Sequence, residues 1–217
     1  MRIRTLALTA FAVSGLVIGA AGQAGAATGG VLTVGSAGGT NVNVGDVLTG
    51  PISSDFLFTT SSGTIDCSTG AFSASATANG SAPGTATESI TQLHADPANC
   101  SSTIGGTTSV VSVELNGDAT GIVTDGASPT LAVTGLDEQV TLGTILGGNV
   151  TCDYGNNASG DAAINGSLTN GNNGISFATQ NVALLSGSGL CPSSGTFAGA
   201  VGPITDTTQS AGLVFVN

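Results

Sequence analysis

Four cysteines set within a repeated pattern constrain the fold of this chain most strongly. Residues 63–68 and 148–153 share a leading glycine and a β-branched residue two places before a cysteine. In both copies an Asn-Gly-Ser triplet, a Thr-Gln pair and a second cysteine follow in the same order. The pattern predicts an internally duplicated β domain with two pseudo-repeat units, at about 63–125 and 148–217.

The first 26 residues have the features of a secretory signal peptide. Arg2 and Arg4 provide a positive start, residues 6–21 are apolar, and Ala24 to Ala26 fit the small-x-small cleavage pattern. The two arginines are not adjacent, which favours the general secretory (Sec) route. No later apolar run approaches the roughly 18 residues that a membrane-spanning helix needs. We therefore expect a secreted, extracellular chain with no membrane insertion.

Four cysteines in an exported chain predict two disulfides, for which three pairings are possible. We favour the pairing that keeps each bond within one copy of the repeat, which joins Cys67 to Cys100 and Cys152 to Cys191. The spacings are too long and irregular for paired metal-binding knuckles. The cysteines are therefore predicted to be structural.

The apolar residues are spaced as in short strands. Phe72, Ala74, Ala76 and Ala78 alternate with polar residues, which indicates a strand with one buried face. No segment after the signal peptide shows helical periodicity with caps. Together with regular turn signals, this pattern predicts an all-β fold, an Ig-like or Greek-key β-sandwich, as a single domain over residues 27–217.

Two connections between strands carry specific predictions. Asn116-Gly117 is a strong hairpin signal and predicts that the strands on either side of it pair with each other. Asp137 and Glu138 stand between apolar runs at 131–133 and 140–142, and we expect them to form an acidic connection between two strands.

The charge balance excludes several classes of partner. After signal cleavage the chain has thirteen carboxylates, one histidine and no lysine or arginine. Nucleic-acid binding and attraction to anionic membranes both depend on basic residues, so neither is expected. Because an unpaired buried carboxylate is costly, we expect nearly all of the acids at the surface.

No set of residues points to catalysis. His94 is the only histidine, so a Ser-His-Asp arrangement or a His94–Asp96 metal pair would depend on it alone. We therefore predict that the protein is not an enzyme and has no catalytic or cofactor-binding residues. Calcium is the most credible ion because only oxygen ligands are plentiful. The candidate ligands are Asp153, Asn156, Asn157 and Asp161, followed by Asn41, Asn43 and Asp46.

Several segments resemble those of known proteins. Residues 45–49, 82–89 and 214–217, with the strands that carry Cys67 and Cys152, look like uncharacterised secreted β-rich proteins of actinomycetes. That resemblance implies export and a β-rich fold, with no activity or site residue. The chain is also similar to the neocarzinostatin-type chromophore carriers, which are small, acidic, exported Ig-like sandwiches with two disulfides. The disulfides of those carriers close shorter loops than the ones expected here.

Three functions remain open from the sequence. The first is a secreted, non-enzymatic structural or surface-interaction protein. Its partner is unknown, and we expect it at the cell surface or in the extracellular medium. The alternative is an extracellular carrier of a small apolar ligand, which predicts a cavity lined by residues such as Phe56, Phe58, Phe72 and Phe177. The third is a calcium-dependent hydrolase that uses paired carboxylates, and it requires two acids held together in a concave site with a perturbed pKa.

Overall fold

The computed structural model describes residues 29–156, 162–210 and 212–217. The predicted signal peptide lies outside these ranges. Within them the chain forms strands and one short 3-10 turn, Pro97–Asn99. The strands are β1 (Leu32–Val34), β2 (Thr40–Asn41), β3 (Val47–Thr60), β4 (Gly63–Cys67), β5 (Gly70–Asn79), β6 (Thr85–Ala95), β7 (Cys100–Ser102), β8 (Thr107–Leu115), β9 (Ala119–Thr124), β10 (Thr130–Thr134), β11 (Asp137–Thr144), β12 (Asn149–Gly155), β13 (Ile164–Thr169), β14 (Gly174–Gly187), β15 (Ser194–Val201), β16 (Thr205–Asp206) and β17 (Gly212–Val216). In the described ranges, no helix has the length and apolar character that a membrane span requires.

Eight of these strands close into an antiparallel barrel. Hydrogen bonding runs from β3 through β5, β6, β9, β10, β13, β14 and β15 and back to β3. The predicted all-β class is confirmed. The Ig-like or Greek-key sandwich is not confirmed, because the strands form a closed ring with further strands outside it. The hairpins β5–β6 and β13–β14 occupy opposite positions in this ring, as the predicted duplication would require, but the duplication itself stays a prediction.

The barrel and its outer strands together form two halves, because the longest strands pair with different partners along their length. The first part of β3 pairs with β5 and its second part with β4, and β14 pairs first with β13 and then with β12. We call the part containing β4, β7, β8, β11 and β12, with the adjoining ends of β3, β6, β14 and β15, the disulfide half. We call the remainder, which includes β9, β10, β13 and the terminal strands β1, β2, β16 and β17, the terminal half.

Both disulfides lie in the disulfide half. Cys67 is bonded to Cys100 between β4 and β7, and Cys152 of β12 is bonded to Cys191 in the loop before β15. These are the two pairings that the repeat predicts. Two disulfides fit an extracellular location.

The prediction of a hairpin at Asn116-Gly117 is wrong. Strands β8 and β9 do not pair with each other; both pair antiparallel with β6, β8 at His94–Ala95 and β9 at Thr85–Ile90. They therefore follow one another along the same neighbour, in the same direction. Gly117, with φ of 94°, provides the interruption that carries the chain from the disulfide half to the terminal half.

The acidic connection predicted at Asp137 and Glu138 is also wrong. Both residues belong to β11, which pairs with β8 and β12 and not with β10. Because alternate side chains of a strand share one face, Glu138 lies on the same face of β11 as Val140 and Leu142, which line the cavities of the disulfide half. Glu138 thus faces inward while Gln139 faces outward.

The terminal half is closed by the two ends of the described chain. Leu32 of β1 pairs with Val216 of β17, and β16 links β17 to β3. Asparagine side chains hold these strands in place: the Asn79 amide bonds both backbone groups of Leu32 at 2.9 and 2.8 Å, and the Asn170 amide bonds those of Val216 at 2.8 and 2.7 Å. The core beneath them is tightly buried.

An aromatic layer separates the two halves inside the barrel. The Phe197 ring lies 5.3 Å from Phe56 in an edge-to-face arrangement and 5.8 Å from Phe177. Such aromatic contacts are favourable beyond the apolar area they bury. This layer forms the floor of the disulfide half.

Candidate ligand-binding cavity

Two neighbouring cavities lie inside the disulfide half. The inner one has a volume of about 70 Å³ and the outer one about 210 Å³. They share four lining residues, Phe58, Ile65, Val140 and Tyr154, and therefore lie side by side. Strand β11 runs along both, from the inner cavity at Glu138 to the outer one at Leu142. For comparison, a cavity of about 150 Å³ is large enough to bind benzene.

The outer cavity reaches the surface between three loops. Its lining includes Ile104 and Ile145, with Leu146 and Leu190 at the margin. Ile145 is 68% exposed, Leu146 92% and Leu190 74%, which is unusual for side chains of this size. We call Ile145, Leu146 and Leu190 the apolar rim. Scattered apolar side chains at a surface need no explanation, but a set that surrounds a cavity indicates a binding site.

A single acidic residue contributes to the lining of the inner cavity. Glu138 is half-buried as a residue, yet both of its carboxylate oxygens are shielded from solvent and lack a hydrogen-bond partner in the described part of the chain. Burial raises the pKa of Glu138 well above its ordinary value, and the nearby carboxylates of Asp137 and Glu114 raise it further. The other lining residues of this cavity, Tyr154 apart, are apolar.

Tyr154 stands next to Glu138 and borders both cavities. The two residues are paired in register across β11 and β12, and the Tyr154 ring lies 4.6 Å from that of Phe58. Its hydroxyl donates to the Pro192 carbonyl at 2.9 Å, and burial raises the pKa of Tyr154 to about 12. The phenol is therefore held in place as part of the cavity wall, and it is neutral at physiological pH.

A second buried acid lies in the terminal half. Glu88 is 4% exposed, and burial raises its pKa to about 7. It borders a cavity of only about 30 Å³, together with Leu48, Phe72 and Val123. That volume is too small for an organic ligand, so Glu88 has no comparable site beside it.

The prediction that nearly all carboxylates lie at the surface is wrong for four of them. Besides the Glu138 carboxylate, the side chains of Asp46, Glu88 and Asp206 are buried, with Asp206 at 0% exposure. Asp46 and Asp206 have local donors: Asp46 accepts from the Asn43 backbone N–H at 2.7 Å, and one Asp206 oxygen accepts from two backbone N–H groups. Glu138 differs in that both of its oxygens are shielded and lack a partner among the described residues, whereas Asp206 has one such oxygen.

The structure describes only two of the four residues in the first predicted calcium set, Asp153 and Asn156. Asn157 and Asp161 lie outside the described residues. Asp153 accepts hydrogen bonds from Gln139 and Ser186, whereas the Asn156 amide turns inward and bonds the backbone of Leu136 at 2.8 Å. Among the described residues, no group of three or more His, Cys, Asp or Glu side chains could hold a metal ion. Calcium binding at this set stays a prediction.

The remaining candidates occupy turns and the outer surface. Asn41 accepts from the Gly30 backbone N–H at 2.7 Å, and Asn43 forms a turn with Asp46. His94 Nδ1 lies 3.8 Å from Glu114 Oε1 on the outer face. Asp96 instead caps the 3-10 turn by accepting from the Ala98 N–H at 3.1 Å. The structure thus does not bring His94 and Asp96 together in a shared site.

The four phenylalanines predicted to line an apolar cavity are divided between two places. Phe56 and Phe58 line the inner cavity, while Phe72 belongs to the terminal half and Phe177 to the aromatic layer. The sequence analysis missed Glu138 as a cavity residue. Its position two residues before Val140 and four before Leu142 was the available signal, because alternate residues of a strand share one face.

The two adjoining cavities form an apolar site, whereas a larger cavity of about 440 Å³ in the terminal half is lined mainly by small and polar residues such as Ser128, Thr130 and Asn170. Comparison of the chain with protein-family models, with curated proteins and with solved structures gave no match. The resemblance to secreted proteins of actinomycetes therefore stays a prediction. The observations that bear on a function are the lining of the cavities and the single carboxylate in the lining of the inner one.

Proposed function

We propose that this protein is an extracellular, non-enzymatic carrier that holds a small apolar ligand inside the disulfide half. The observation that carries the proposal is the pair of adjoining cavities, lined by apolar and aromatic side chains and surrounded at the surface by the apolar rim. Small-molecule sites have this composition: mostly apolar walls with a few placed polar groups.

The lining also suits binding better than catalysis. Glu138 is the one carboxylate of the inner cavity, and the only other ionisable lining group, Tyr154, is engaged with the Pro192 carbonyl. Hydrolysis by paired carboxylates needs a second acid within reach of the same substrate bond. The described lining supplies one acid, which is what a binding site needs to orient a ligand.

A titration with cyclohexylmethanol, a neutral apolar probe, tests the proposal. Tyr154 is the only tyrosine and the chain has no tryptophan, so tyrosine fluorescence reports from the cavity wall. We expect a saturable change in this fluorescence. Val113→Phe, which places a ring in the inner cavity, should abolish it.

Val111→Phe is the matched control, because Val111 lies on the same strand with its side chain 42% exposed. This variant should bind within about twofold of the unmodified protein. A linear, non-saturating response of the unmodified protein, or equal binding by Val113→Phe, would contradict the proposal.

A structural or surface-interaction role is the second candidate. The observation that favours it is the apolar rim itself, since exposed apolar side chains grouped in this way also occur where proteins associate. Under this alternative, Leu146→Ser would weaken association with the partner and leave cyclohexylmethanol binding unaffected. Under the carrier function, the same substitution would change the affinity for the probe.

A further inference from the structure

We propose, on the basis of the carrier function above, that the ligand bears a cationic amine at one end of its apolar body and that this amine pairs with the Glu138 carboxylate. The juxtaposition that carries the inference is a shielded, unpartnered carboxylate at the inner end of an apolar cavity. A buried polar group without a partner costs free energy, and native proteins retain few of them without a reason.

The described protein does not supply a partner for this carboxylate. Arg2 and Arg4 are the only basic residues of the sequence besides His94, and both lie in the predicted signal peptide. His94 is on the outer face, next to Glu114. The charged groups on the strands beside Glu138 are Asp137, Glu114 and Asp153, all of them acidic.

These acids also determine which charge the cavity accepts. Carboxylates on neighbouring strands make the potential around Glu138 negative, and apolar walls screen this potential less than water does. An anionic ligand such as a fatty acid would be repelled. A cation is attracted, and its N–H groups satisfy the carboxylate oxygens in a charge-assisted hydrogen bond.

The dimensions limit the apolar body of the ligand. Glu138 and Leu142 are four residues apart on β11, which at about 3.3 Å per residue places their Cα atoms about 13 Å apart along the cavities. A compact body of roughly six to ten carbons fits this length and the volume of about 210 Å³. The rings of Phe58 and Tyr154 would contact it.

A pair of matched probes tests the inference. Cyclohexylmethylamine and cyclohexylmethanol have the same size and shape, and at pH 8 the amine is charged because alkyl amines have a pKa of about 10. With Tyr154 fluorescence as the readout, we expect the amine to bind the unmodified protein at least about tenfold more tightly than the alcohol. Glu138→Gln should remove this preference and retain alcohol binding.

Asp55→Asn controls for general attraction to an acidic protein, because Asp55 is exposed on the outside of β3. This variant should keep the full preference for the amine, and a urea unfolding curve should show that Glu138→Gln is folded. Equal binding of amine and alcohol by the unmodified protein would overturn the inference and leave the carrier function standing. A preference that persists in Glu138→Gln would also overturn it. If neither probe binds, the carrier function fails as well.

Discussion

In the terminal half, Glu88 lies in a core closed by both ends of the described chain, beside a cavity of about 30 Å³. In the disulfide half, Glu138 lies beside cavities of about 70 and 210 Å³, and the rim around them is apolar and exposed. Both acids have a raised pKa caused first by burial. Each half thus buries a glutamate, but only Glu138 lies beside cavities large enough for a ligand.

The two halves are also stabilised in different ways, one by close packing and the other by disulfides. The terminal half packs fully buried side chains such as Leu48, Leu131 and Val201 and contains no disulfide. The disulfide half leaves space inside, so it gains less from packing, and both disulfides are located there. Both disulfides thus stabilise the half in which open space leaves fewer packing contacts.

The largest expected effect comes from removing one disulfide. In the chain-entropy model, bonds that span 33 and 39 residues stabilise the folded state by about 4 kcal/mol each. Cys152→Ala/Cys191→Ala should therefore lose about 4 kcal/mol of unfolding free energy in urea. Hydrogen exchange should show the loss of protection concentrated in β11 and β12, with β9 and β10 keeping theirs.

The same measurement can contradict the division into two halves. A uniform loss of amide protection across β9, β10, β11 and β12 would show that the barrel opens as one unit. Cys67→Ala/Cys100→Ala provides the matched variant, and it should behave like the first because its bond lies in the same half.

The next effect concerns Glu88 and the pH dependence of stability. A pKa raised in the folded state from 4.5 to about 7 means that the folded protein holds its proton more strongly than the unfolded chain. Stability should therefore fall as pH rises from about 4.5 to about 7, by roughly 3 kcal/mol for this group. Glu88→Gln should remove that part of the slope in urea denaturation at several pH values.

Two other acids help to interpret the result. Glu138 has a pKa shifted in the same direction, so Glu88→Gln should leave a residual fall. Asp55→Asn, at an exposed position, is the control for the loss of one surface carboxylate. A slope that does not respond to Glu88→Gln would show that Glu88 reaches solvent in the folded protein.

The features of the fold that could be predicted from the sequence are those set by residues close together in the chain. Local alternation predicted the buried face of β5 correctly for Phe72, Ala74 and Ala76, which are all at most 4% exposed. It was wrong for Ala78, which is exposed because the pairing of β5 with β6 shifts in register between Ala76 and Ala78. The turn of the hairpin β13–β14 is rich in Asn and Gly, residue types that accept positive φ, and Asn173 there adopts a φ of 52°. Each of these signals depends on residues close together in the chain.

The errors concern contacts that local patterns do not encode. Asn116-Gly117 permits a tight turn, but whether β8 and β9 pair is decided by β6, which offers its edge to both. Closure of the barrel requires β3 to pair with β15, across more than 130 residues. The alternation of side chains along β11 indicated that Glu138 faces inward, yet the free-energy cost of burying an unpaired carboxylate argued for a surface position. This conflict between the strand pattern and the free-energy cost of burial identifies Glu138 as part of the candidate site.

The smallest expected effect compares one valine in each half. Val123 is 1% exposed in the terminal half, whereas Val113 is half-buried and lines the inner cavity. Val123→Ala should cost about 2 kcal/mol of unfolding free energy, since its side chain is almost fully buried and borders a cavity of only about 30 Å³. Val113→Ala should cost about 1 kcal/mol, because its side chain already borders open space. Urea denaturation of the two variants measures the difference, and an equal cost would mean that the cavity is filled by neighbouring side chains in solution.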